Sequence, residues 1–396
     1  MTLASFARFG ATPLFAKPIP VGQLYFPSWE RYEAACRGIF EREYYNNNGP
    51  LLNEFEARLH EFLGVKHALC VANATLGLMM VADALELKGK VILPAFTFIA
   101  SAQAMSWAGL EPVFCDIDRN THQLDHTKAE TLIDGDVSAI MGVNLWGGAC
   151  RPRELAALAE ARGVKLFFDS AHAFGCQVDN TPIGGFGAAE VFSFHATKVL
   201  STSEGGCITT NDDALAERLR SIRPSYGGQP PVNVVRVANA RMSEAQAAVG
   251  LMNLDDFPAH QAHNATLFET YRQAFESVPG IRVRPPAGVS YSNYQYGLCT
   301  IDEASFGLSR DSLIELLRAE NIVARRYFYP GAHRSIPYDR ELPQYFDALP
   351  ATDEACATSL QLPIGALLGN DDALRICDLV SRIQANASEI RKTMGA

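Results

Sequence analysis

Apolar runs at residues 67–72, 90–93, 112–116, 138–145, 164–169, 190–194 and 206–210 recur along the first part of the chain and predict strands. The run VKLFFD at 164–169 is continuous rather than alternating, the pattern of a parallel strand buried on both faces. Segments of helical period separate the runs. In RPRELAALAEARG, residues 151–163, Leu155, Leu158 and Ala159 share one face while Glu154, Glu160 and Arg162 meet water. This alternation predicts an α/β fold with a mostly parallel sheet covered by helices on both faces. From about Met242 a long helical stretch, bent or ended near Pro258, leads away from the sheet. Beyond it, runs at 281–284, 296–301 and 322–328 and helices at 311–320 and 371–391 predict a smaller α+β unit. The expected domains are 1–255, with an N-terminal arm, and 256–396. No repeat or low-complexity linker interrupts the pattern.

Chemistry enters where polar residues interrupt this order. In VFSFHATKVLSTSEGGCITT, residues 191–210, Lys198 stands between a strand and the turn at Gly205 and Gly206. An ammonium there is costly to desolvate unless it is paired, carries a depressed pKa or forms a Schiff base; a solvated loop lysine is the plainer reading. Asp169 ends the continuous run, so a carboxylate is delivered to the C-terminal edge of a buried strand, where open α/β sheets bind ligands. It reads equally as a helix N-cap. Together Asp169 and Lys198 are the two groups that pyridoxal phosphate requires, a partner for the pyridinium nitrogen and a Schiff-base amine. The small residues after Val71, from Ala72 to Thr75, open a helix whose N–H groups suit a phosphate, although Asn73 or Thr75 also suits simple capping.

These segments resemble the DegT/StrS-type sugar-nucleotide aminotransferases, fold-type I pyridoxal phosphate enzymes. The likeness runs over NNNGPLLNEFEARLHEFLGVKHALCVANAT (46–75), LPAFTFIASAQAMSWAGLEPVFCDID (93–118), DSAHAFGC (169–176), FSFHATK (192–198), EGG (204–206), NARMSEAQAAVGL (239–251) and RRYFYPGAH (325–333). It implies that Lys198 carries the cofactor and then shuttles a proton between cofactor and substrate carbons, with Asp169 on the pyridinium nitrogen. His172 would lie near the phenolic oxygen, Phe98 would stack on the ring, and Ala74, Thr75 and Ser193 would bind phosphate. Read as isolated residues, His172 and Phe98 are more often ordinary packing residues. Asn239 and Arg241 would reach the phosphate of a neighbouring subunit, which implies a homodimer with shared sites. Lysine rather than histidine at 198 implies transamination rather than the 3-dehydration of similar enzymes.

VNLWGGAC (143–150) and RRYFYPGAHR look closest to the 4-aminotransferases of nucleotide-linked 4-keto-6-deoxyhexoses, with Tyr329, His333 and Arg334 on the substrate and L-glutamate as donor. The implied product is a 4-amino-4,6-dideoxy sugar, on a dTDP carrier. A 3-keto sugar nucleotide or a keto cyclitol is the alternative acceptor. STSEGG lacks the asparagine expected after the lysine, and PSYGGQPPVNVVRVAN (224–239) departs from the usual glycine-rich approach, differences that bear on specificity. A non-catalytic regulatory protein on this fold is a further alternative, against which the presence of both Lys198 and Asp169 argues.

Composition narrows the classes. The 396 residues are 48% hydrophobic and 20% charged, with a formal charge of −10, which argues against nucleic-acid binding. Arg325, Arg326 and Arg334 form the nearest basic cluster for a pyrophosphate, or a solvated face. Nine cysteines without paired spacing read as free thiols rather than disulfides. His60, His67, His122 and His126 offer no metal set; the last two stand at the spacing of one helix face, with no third ligand. With no leader-like start and no apolar run approaching ~20 residues, the expectation is a cytoplasmic protein.

Overall fold

Strands form where the apolar runs lie. In the computed structural model, which describes residues 3–46, 48–224 and 232–395, one sheet contains β1 (His67–Val71), β2 (Lys90–Pro94), β3 (Glu111–Cys115), β4 (Val137–Val143), β5 (Lys165–Asp169), β6 (Glu190–Ser193) and β7 (Gly206–Thr210). Their order is β1-β7-β6-β5-β4-β2-β3. β7 runs antiparallel to both neighbours, and the remaining pairings are parallel. Successive side chains enter opposite faces. Leu69, Val71, Leu93, Met141, Phe167 and Val191 join one core. Their neighbours Cys70 and Phe192, and Ile92, Ile140 and Phe168, enter cores on the other side. Burial on both sides is why the central runs read as continuous.

The topology gathers chemistry at one edge. β1, β2, β5 and β6 all point their C-terminal ends the same way, and β7, running in reverse, begins there. Val143 pairs with Asp169, Asp169 with Val191, and Gly206 with both Ser193 and Val71.

The long helical stretch differs from expectation. Helix Glu244–Phe275 runs unbroken through Pro258. Proline removes one helical hydrogen bond, at a cost of about 3 kcal/mol. Packing on both sides of it offsets that cost, since Leu251, Leu254 and Phe257 sit in a core of the large sheet and Leu267, Phe268, Tyr271 and Phe275 in the next core. This second core covers the antiparallel sheet β8 (Ile281–Val283), β9 (Gly297–Ile301) and β10 (Ser359–Leu362), and it also takes in Phe6, Phe15 and Ile19. Its third strand is not the run at 322–328. Only Ile322–Val323 is strand, paired with Ile19–Pro20, after which the chain turns away to place Arg325 and Tyr327 on a cavity. Within the departing segment 224–239, residues 225–231 lie outside the described residues.

The start of the long helix is doubly fixed. Ser243 caps it in a reciprocal pair with Gln246. Glu244, fully buried, accepts the N–H groups of Leu51 at 3.1 Å and Leu52 at 2.9 Å, so it caps the neighbouring helix Pro50–Leu63. Glu244→Ala is expected to lower the unfolding free energy by about 2–4 kcal/mol, the scale for leaving buried donors unmatched. Urea denaturation of the variant beside the parent protein measures this loss.

Candidate active site

A cavity of about 760 Å³ opens at the shared strand edge. Ala74 and Thr75 reach it from the turn after β1, Phe98 from the segment after β2, Asp169 from the end of β5, Ser193 from the end of β6, and Lys198 from the β6–β7 connection; with His172, all line it. Asn73 begins helix Ala74–Ala84: its side chain accepts from Leu76 N–H at 2.9 Å and its carbonyl from Gly77 N–H at 3.2 Å. The N–H groups of Ala74 and Thr75 have no acceptor among the described residues. Two free donors at a helix N-terminus suit an anion. Gly206 admits them closely, because a Cβ there would lie 2.9 Å from Ala74 N.

Asp169 is buried, and burial pushes its carboxyl up; Ser101, the Ala171 amide and the Lys198 charge pull it back. Ser101 Oγ donates to it at 2.8 Å and Ala171 N–H at 3.1 Å, while Thr97 Oγ1 lies 2.9 Å from Ser101 Oγ. Burial holds the Lys198 amine down to about 8 against the opposing pull of Asp169. Burial likewise holds His172 well below its ordinary value, with Lys198 adding to the effect, so the imidazole is neutral. Tyr296 Oη lies 3.2 Å from Lys198 Nζ and 3.0 Å from His172 Nε2. Phe98 is 56% exposed beside the cavity and is therefore no core residue. Free helix-start amides, a buried carboxylate, an aromatic face and an amine of lowered pKa make a set that fits pyridoxal phosphate.

A profile of the DegT/DnrJ/EryC1/StrS aminotransferase family matches residues 29–381. The chain belongs to that family. Among curated relatives, the dTDP-4-amino-4,6-dideoxy-D-glucose transaminase of Shigella dysenteriae is 37% identical over 317 residues, 79% of this chain and 85% of the relative. GDP-perosamine synthase of Caulobacter vibrioides is 33% identical over 348 residues, 85% and 90% of the two chains. The solved structure of DesI in the presence of its TDP-sugar product superposes with a TM-score of 0.94 at 38% identity, covering 100% of both chains.

Other expected site residues of this aminotransferase lie outside the cavity wall. Asn239 is exposed and Arg241 half-buried; they bond to each other, while Ala240 between them ties the segment to β1 by accepting from Ala72 N–H at 2.8 Å. Tyr329 is 49% exposed, with the Arg326 guanidinium 4.3 Å above its ring. His333 is fully buried against Asp353 at 3.1 Å, and Arg334 pairs with Asp353 at 2.7 Å and Asp347 at 3.3 Å. From the same run, Arg325, Tyr327 and Phe328 face the cavity instead. His126 opens helix His126–Thr131, but His122 precedes it in left-handed backbone (φ 59) beside Arg284, so the two share no helix face. All nine cysteines are free thiols. Sequence reasoning missed Ser101, whose only mark is its place four residues after Thr97, and Tyr296, which stands one residue before β9.

Two outcomes are expected. Gly206→Ala pushes against the Ala74 turn and should weaken pyridoxal phosphate binding about tenfold, the scale of one charge-assisted hydrogen bond, as read by fluorescence titration of the apoprotein. Below about pH 8 the charge on half-buried Lys198 disfavours the folded apoprotein in full; from there to the ordinary 10.5 the folded chain releases a proton that the unfolded chain keeps. Stability from this group therefore rises with pH across that window. Thermal midpoints of the apoprotein should show the rise, and Lys198→Met should remove it.

Proposed function

We propose that this aminotransferase transfers the amino group of L-glutamate to the keto carbon of a nucleotide-linked 4-keto-6-deoxyhexose, yielding the 4-amino-4,6-dideoxy sugar. The observation that carries the reading is the meeting of Lys198, Asp169 and two unmatched helix-start amides in one cavity large enough for a cofactor and a sugar. The relatives named for dTDP- and GDP-linked amino sugars support the substrate class, with dTDP the carrier tested first. They do not favour a keto cyclitol or a purely regulatory role.

Pyridoxal phosphate, when bound, supplies the electron sink for exchanging an amine and a carbonyl. Ala74 and Thr75 would hold its phosphate through backbone N–H groups and Ser193 through its hydroxyl. Asp169 keeps a proton on the ring nitrogen. Phe98 would pack against the ring, and neutral His172 would stand near its phenolic oxygen. Lys198 would anchor the group and would move a proton at its Nζ; an amine near 8 is poised to take and return one close to neutral pH. Arg325 and Tyr327 are the contacts we assign to the substrate in place of Tyr329, His333 and Arg334.

The reading extends to assembly. Asn239 and Arg241 do not line their own chain's cavity, and Trp29, Phe40 and Val237 are 67%, 69% and 52% exposed, which supports a homodimer whose partner completes the phosphate site. Residues 1–255 and 256–396 are proposed as its two functional units, with Phe6, Phe15 and Ile19 of the first packed on the second. Free thiols and a nucleotide-sugar substrate support a cytoplasmic setting; no helix among the described residues is long and apolar enough to cross a membrane.

Visible absorbance tests the first half-reaction. Protein loaded with pyridoxal phosphate should show a yellow band that converts to the amine form on adding L-glutamate, and the amine form should then be discharged by a dTDP- or GDP-linked 4-keto-6-deoxyhexose. Lys198→Ala should abolish turnover while leaving circular dichroism unchanged; a variant that still aminates sugar sinks the assignment of the lysine.

A further inference from the structure

Tyr296 is 5% exposed and is the residue through which Lys198 and His172 meet. Its ring is fixed from two sides, edge-on to Trp146 at 5.4 Å and tilted against His172 at 4.5 Å. Trp146 N–H points to His172 Nδ1 at 3.5 Å, which assigns the imidazole hydrogen to Nε2 and makes that nitrogen a donor to the phenol. The phenol oxygen thus accepts from His172, and from Lys198 when the latter is an ammonium. Its own hydrogen then stays free to turn. When Lys198 is a neutral amine, that hydrogen has an acceptor in the Nζ lone pair. Burial raises Tyr296 far above its ordinary value, with Tyr327 adding to the rise and Gln295 and Arg325 opposing it, so it remains a phenol able to serve both states.

We propose that Tyr296 is a positioning residue for Lys198, whose phenol holds the amine in place through proton transfer by accepting from the ammonium and donating to the neutral amine. The proton that Lys198 takes from a substrate carbon and returns to another stays on nitrogen throughout; Tyr296 reverses its hydrogen bond and keeps its own proton. Among the described residues, Asp169, His172, Arg325 and Tyr327 are the ionisable groups nearest this pair, and His195 and Glu204 line the same cavity. The inference rests on the transaminase reading above.

Tyr296→Phe removes one oxygen and keeps the ring. In the loaded enzyme, the single-turnover rate with L-glutamate should fall about tenfold to a hundredfold, the scale of losing one hydrogen bond to a charged group. The KM for glutamate should stay within about twofold, and the isotope effect with α-deuterated glutamate should increase. In the apoprotein, ¹³C NMR of the Lys198 ε-carbon should show its ionisation midpoint falling, because the charge-assisted bond lost by the ammonium is stronger than the neutral one lost by the amine. An unchanged rate, isotope effect and midpoint overturns the proposal. So does a rate lost only in step with bound cofactor, which marks a structural role. Should Tyr296→Phe fail to fold, 3-fluorotyrosine at 296 keeps the shape with a more acidic phenol, and a Lys198 midpoint that it leaves unmoved is equally fatal. A parent enzyme that ignores glutamate defeats the functional reading, while the midpoint still decides the hold of Tyr296 on Lys198.

Discussion

A lysine amine and an aspartate carboxylate share one cavity while each is satisfied by someone else. Asp169 takes its hydrogen bonds from Ser101 and the Ala171 amide, and Lys198 gives its own to Tyr296. Had the two collapsed into a contact pair, their charges would be used up on each other. Kept apart in a medium less polar than water, they bias one another at a distance, the lysine pulling the aspartate down and the aspartate pulling the lysine up. Both remain available to a ligand, and much of the surrounding structure serves that separation.

Two cores enforce it. The large sheet supplies Asp169 and the approach to Lys198, since β5 and β6 are parallel and end side by side. Tyr296, Arg325 and Phe328 come from beyond the long helix, around the small sheet. The helix Glu244–Phe275 has residues in both cores, and direct ties hold Tyr296 at Lys198: Val199 N–H donates to Gln295 Oε1 at 3.2 Å, and Asn293 Nδ2 donates to the His172 and Phe174 carbonyls at 3.0 Å each.

What the sequence disclosed follows from the same division. The seven strands of the large sheet were legible because burial on both faces leaves apolar runs that admit few other readings, and Asp169 and Lys198 stood out as charges at their ends. The third strand of the small sheet was not. Ser359–Leu362 has buried Gln361 in its middle, tied through its backbone to Arg325, and a polar residue in a four-residue run hides a strand. Ile322–Val323 looked like the start of a longer strand because Tyr327 and Phe328 continue the apolar pattern, but they serve a cavity wall and an aromatic cluster. Tyr296 was invisible for a related reason. Before a strand, tyrosine is a good packing residue, and only the fold brings its hydroxyl to a lysine 98 positions away.

The three arginines read as one basic cluster separate in the same way. Arg326 is matched by Asp311 at 3.3 Å and Arg334 by Asp347 and Asp353. Arg325 lines the cavity, bonds the Tyr327 hydroxyl and lies 5.4 Å from that ring's centroid, with no carboxylate in ion-pair reach among the described residues. A chain of net charge −10 repels anions as a whole, but salt screens that field within about 10 Å. Inside the cavity the nearest unmatched cation decides, and Arg325 makes an acidic protein locally receptive to carboxylates and phosphates.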